Sequence, residues 1–72
     1  MLLYLLVFLF HAAVNCGHPG TPDNGVVDVT TTTFESNVSY ACNDGYYIDG
    51  MSTRFCQASA TWSGHLPSCQ SM

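Results

Sequence analysis

The sequence predicts an all-β domain, small and stapled by disulfides, behind a hydrophobic signal-like leader. Three observations lead there. Residues 1–15 hold 13 apolar side chains, whereas the remainder of the 72-residue chain is polar and rich in turn residues. All four cysteines lie behind that leader. Behind it, no stretch repeats apolar residues at helical spacing, and short stretches alternate with a period of two between Gly, Pro, Asn and Asp.

The charge balance narrows the function. One Lys or Arg against five Asp or Glu gives a formal net charge of −4. A single cation cannot supply the basic patch that nucleic acid or an anionic membrane surface demands. Charged residues are 8% of the chain, too few for a charged disordered tail. A body of about 57 residues buries only ~60% of its unfolded surface, so cross-links matter. An even cysteine count in a short chain behind a hydrophobic leader reads as a disulfide framework made in an oxidising compartment.

The leader runs Leu2–Phe10 without a polar interruption. Fourteen residues of helix span about 21 Å, short of the ~30 Å hydrocarbon core, so a secretory signal fits better than a membrane span. Ala12 and Ala13 supply small residues for a cleavage region. Cutting after Ala13 places His11 at −3; cutting after Asn15 places Ala13 at −3 and an amide at −1. The expected division is a signal over 1–15 and a folded domain over 16–70, with an uncleaved leader as the alternative.

The body divides into short extended pieces. Cys16–Gly25 contains two prolines and three glycines, which makes it an extended, turn-bearing entry. Val26–Thr33 is mostly β-branched and reads as extended, its Thr30–Thr33 tract as an exposed loop or edge. Phe34–Cys42 is the clearest strand, with Val38, Tyr40 and Cys42 alternating against Asn37, Ser39 and Ala41. Asn43-Asp44-Gly45 is a turn, Tyr46–Asp49 a second strand, Asp49-Gly50 another turn, and Ser52–Gln57 a third strand.

Cys16, Pro19, Asn24-Gly25, Tyr40-x-Cys42, Gly45-Tyr46, Gly50, Cys56, Trp62, Gly64, Pro67 and Cys69 follow one another in an order that resembles the sushi module, also called the complement control protein domain or short consensus repeat. The resemblance covers Cys16–Cys69. It departs at two points: Ala60 stands where the family carries a glycine two residues before the tryptophan, and Glu35 or Ser36 where it carries one before Tyr-x-Cys. Each change strains its turn if the backbone there needs a positive φ.

Four cysteines allow three pairings. The resemblance implies first to third and second to fourth, hence Cys16–Cys56 and Cys42–Cys69, in an elongated module with its termini at opposite poles. Either bridge alone is then worth about 4 kcal/mol in the chain-entropy model. Trp62 is expected in the core between the bridges with Tyr40 and Tyr46, since so small a domain has few other large side chains to bury. Tyr47 has the opposite parity to Tyr46 and should face outward; with Asp49 it is the candidate interface. Asn37-Val38-Ser39 is an N-glycosylation sequon whose Asn37 should face solvent.

No motif places a catalytic group, and no metal or cofactor site is expected. His18 and His65 read as solvated loop residues, and Asp44 and Asp49 as turn residues. Cys16-Gly17-His18 is not a zinc-ligand spacing, and there is no C-x-x-C pair. Arg54, the only Lys or Arg, should meet an acidic neighbour or a partner.

The resemblance implies a secreted, monomeric, non-catalytic module that recognises a protein, in complement regulation, adhesion or cytokine-receptor binding. It would act through Val26–Glu35 as a variable loop together with Tyr47 and Asp49, with no nucleic acid partner and no membrane insertion of the mature chain. A single module offers less than the ~800 Å² per partner of a standard interface, which suggests a fragment or short relative of a multi-module protein. The alternatives are a stand-alone secreted protease-inhibitor or toxin-like mini-protein and, with less weight, a zinc-stabilised intracellular domain.

Overall fold

The computed structural model describes residues 14–72; most of the expected signal segment lies outside them. Five strands form two sheets: β1 (Gly25–Asp28), β2 (Asn37–Cys42), β3 (Tyr46–Asp49), β4 (Thr53–Phe55) and β5 (Ser68–Ser71). β2 is central in the first sheet, antiparallel to β1 on one side and β4 on the other. The second sheet pairs β3 with β5.

The alternation in β2 sets the core. Val38 is 1% exposed and Tyr40 6%, while Asn37, Ser39 and Ala41 face solvent. Val38 and Tyr40 belong to a small buried apolar group with Val14 and Cys56. Prolines help to close it: Pro19, Pro22 and Pro67 are buried at points where the chain runs without regular structure. Such positions suit a residue that has no amide proton to satisfy.

Two bridges fix this arrangement. Cys16 is bonded to Cys56 and Cys42 to Cys69, the first with third and the second with fourth. The two crossed links hold both sheets in a domain with so little buried surface.

Several boundaries move from those the sequence predicts. The strand expected from Phe34 begins at Asn37, because Glu35 turns the chain with φ +72°. Of Ser52–Gln57 only Thr53–Phe55 is strand. β5 was not anticipated; Ser68-Cys69-Gln70-Ser71 has neither β-branched residues nor apolar alternation and is extended by pairing with β3.

The folded unit also reaches upstream of residue 16. Val14 is buried, and its carbonyl accepts the amide of Phe34 at 3.2 Å. Asn15 bridges Thr33, and its Oδ1 accepts both the Gly17 amide and the Thr32 hydroxyl at 2.8 Å. The threonine tract is therefore tied down: the Cys16 amide donates to the Thr32 carbonyl at 2.8 Å, and Thr31 and Thr33 share the Ser36 hydroxyl. The expected loop Val26–Glu35 is a strand at one end and a hydrogen-bonded return at the other.

Candidate functional site

The second sheet has the outward-facing residues that the sequence singles out. Tyr47 opposes Gln70 and Asp49 opposes Ser68. Directly opposed residues of an antiparallel pair share a face, so these four side chains lie together. All four are exposed, Tyr47 at 50%. Gln70 Nε2 donates to the Ser68 hydroxyl at 3.0 Å, which orders the β5 side of the face. Tyr46 and Ile48 point the other way and are half-buried, with Cys69 opposite Ile48. Tyr47 thus stands on a strand whose partner is covalently tied to β2.

Beside this face runs an open groove of about 500 Å³, lined by Pro22, Asp23, Leu66, Pro67, Ser68 and Gln70 among others. Ser68 and Gln70 belong to both, so face and groove are continuous. Leu66 is 44% exposed and supplies apolar area at the groove.

The charge of the surface follows from where Arg54 goes. All five carboxylates, on Asp23, Asp28, Glu35, Asp44 and Asp49, are exposed. Arg54 is half-buried and turns inward: Nε donates to the Ser63 carbonyl at 2.8 Å, and Nη1 to the Pro19 carbonyl at 3.3 Å and the Tyr40 hydroxyl at 3.4 Å. The expected acidic neighbour is replaced by two carbonyls and a phenol. The chain's sole Lys or Arg is thus consumed in joining three segments, and the surface is left acidic.

The remaining singled-out residues fall elsewhere. Trp62 is half-buried, forms a bridge with Cys56, and donates its indole N–H to the Gly17 carbonyl at 3.0 Å. Tyr40 is buried below the first sheet. Asn37 is exposed at the start of β2. His18 Nδ1 accepts the Gly20 amide at 3.0 Å, a local turn contact. Among the described residues, no group of three or more His, Cys, Asp or Glu is placed to hold a metal, and all four cysteine sulfurs are in disulfides, which leaves no thiolate to ligate zinc.

The structural role of Arg54 was missed by sequence reasoning. Carbonyl acceptors leave no signature in a sequence, since any residue can supply one.

A family model of the sushi repeat (SCR repeat) matches residues 16–69. This chain belongs to the sushi family. Over 56 residues it is 39% identical to the sushi, von Willebrand factor type A, EGF and pentraxin domain-containing protein 1 of Rattus norvegicus, a match covering 78% of this chain and 2% of that protein. It is 39% identical over 54 residues to beta-2-glycoprotein 1 of Canis lupus familiaris, covering 75% of this chain and 16% of the relative. Complement control protein C3 of vaccinia virus is 34% identical over 61 residues, covering 79% of this chain and 23% of the viral protein. The sushi chain therefore spans only a small part of the length of each of these relatives.

Proposed function

We propose that this chain is a secreted, non-catalytic sushi module that binds an extracellular protein through the outward face of β3 and β5. Family membership supports a binding role, and the relatives named for complement control and as a glycoprotein support an extracellular setting. The hydrophobic leader ahead of Val14 acts as the export signal. The observation that carries the reading is Tyr47, half exposed on a strand paired with the disulfide-anchored β5, beside a groove of mixed polar and apolar lining. An aromatic held in this way loses little conformational freedom when covered, which is what an interface anchor requires.

The partner surface is basic. Asp49 and Asp23 border the face and groove, and Arg54 is turned inward. Complementary charge speeds encounter and sets orientation. A complement-regulatory or adhesion role is the specific form this takes.

The test uses the secreted chain and its Tyr47→Ser variant against a panel of extracellular proteins that includes complement components. Binding that weakens as salt rises and is lost in the variant, with near-ultraviolet dichroism unchanged, supports the proposal. Binding untouched by Tyr47→Ser moves the interface elsewhere. Stoichiometric inhibition of serine proteases at micromolar concentration replaces the proposal with the inhibitor reading.

A further inference from the structure

Asn37 and Phe55 are cross-strand partners in the β2–β4 ladder. The bonds of the ladder fall on either side of them: the Cys56 amide donates to the Ser36 carbonyl at 2.9 Å, and the Tyr40 amide to the Ser52 carbonyl at 2.8 Å. Phe55 turns its own amide and carbonyl to the other side, where both meet Ser63. Asn37 and Phe55 are therefore a non-hydrogen-bonded pair, the kind in which opposed side chains approach most closely, with Cα atoms about 4.5 Å apart. Both point outward. Phe55 is 49% exposed, a large apolar residue half open to solvent on a small domain. Asn37 opens the triplet Asn37-Val38-Ser39, and Ser39 is on the same exposed face two residues on.

We infer that Asn37 carries an N-linked glycan whose first N-acetylglucosamine lies over the exposed ring of Phe55. In the attachment step, Asn37 Nδ2 bonds to C1 of the reducing-end sugar of a lipid pyrophosphate-linked oligosaccharide. The C1–O bond to the donor breaks, the lipid pyrophosphate leaves, and the amide nitrogen gives up one proton. The apolar face of the sugar then removes Phe55 area from water, an attraction the bare fold lacks. The glycan occupies the outward face of the first sheet and leaves the β3–β5 face open. The inference rests on the export reading above.

The experiment expresses the full chain, with its own leader, in a eukaryotic secretory line. It compares wild type, Asn37→Gln, Phe55→Leu and the double variant. The expected wild-type product is secreted, loses one glycan on peptide-N-glycosidase treatment, and then has aspartate at position 37. Asn37→Gln lowers the thermal midpoint by several degrees when Phe55 is present and leaves it unchanged in the Phe55→Leu background. A secreted wild-type chain without glycan overturns the inference while export stands. An equal effect of Asn37→Gln in both backgrounds overturns the sugar–ring contact. A chain that is never exported overturns it through the export reading instead.

Discussion

The amide of Glu35 donates to the carbonyl of Cys56 at 2.9 Å, and Glu35 holds φ at +72° to do so. The contact ties the turn before β2 to the disulfide-bonded end of β4. Its geometry favours glycine, because a Cβ crowds the backbone in the left-handed region. Ala60 is in the same condition at φ +66°, in the turn where its amide meets the Gln57 carbonyl at 3.0 Å. These are the two places where the sequence departs from the glycines of its family, and of Glu35 and Ser36 it is Glu35 that occupies the strained position.

Glu35→Gly and Ala60→Gly are each expected to stabilise the domain by about 0.5–1 kcal/mol, the relief of left-handed strain less the extra freedom of an unfolded glycine. Denaturant titration of the oxidised protein reads this as a higher midpoint at unchanged slope. A lower midpoint in both variants would remove the strain account.

Arg54→Lys should destabilise although it keeps the charge. A single ammonium cannot reproduce the fork that reaches the Ser63 and Pro19 carbonyls and the Tyr40 hydroxyl together. Leaving part-buried acceptors short of donors costs about 1–2 kcal/mol. Thermal unfolding of the two proteins side by side measures the loss.

A chain that starts at Cys16 should be weaker than one that starts at Val14. It loses a buried valine, the acceptor of the Phe34 amide, and both hydrogen bonds to Asn15 Oδ1. Burial of the valine alone is worth about 1.5–3 kcal/mol. Secreted chains that begin at these two points settle the size of the effect, and the intact mass of the natural product should show Val14 and Asn15 retained.

Gly25→Ala should disturb the second bridge. A Cβ at position 25 would lie 2.7 Å from the Cys69 sulfur and 2.8 Å from the Ala41 carbonyl oxygen, with neither free to withdraw. Overpacking of this kind costs about 1–3 kcal/mol. The expected result is a lower unfolding midpoint and a Cys42–Cys69 bond that is reduced sooner than Cys16–Cys56, followed by timed alkylation and peptide mapping.

Much of the first sheet was legible because its signal is local. Asn37–Cys42 alternates cleanly, and the fold buries Val38 and Tyr40 as the alternation demands. The outward direction of Tyr47 is written in the same way, in its parity against Tyr46. What escaped depends on partners distant in the chain. β5 is a strand because β3 lies beside it, and Arg54 is a clamp because the fold brings Pro19 and Ser63 to it. The groove beside Ser68 and Gln70 likewise joins segments some 40 residues apart.

The pairing of β3 with β5 sets when biosynthesis can finish the domain. Tyr46 waits for Ser71, and the Met72 amide reaches back to the Gly45 carbonyl at 3.0 Å. While translation is under way, β1, β2 and β4 can assemble and Cys16 can find Cys56. Cys42 has its partner only once Cys69 has emerged, so an oxidant or isomerase can meet the nascent chain with one bridge made and one pending.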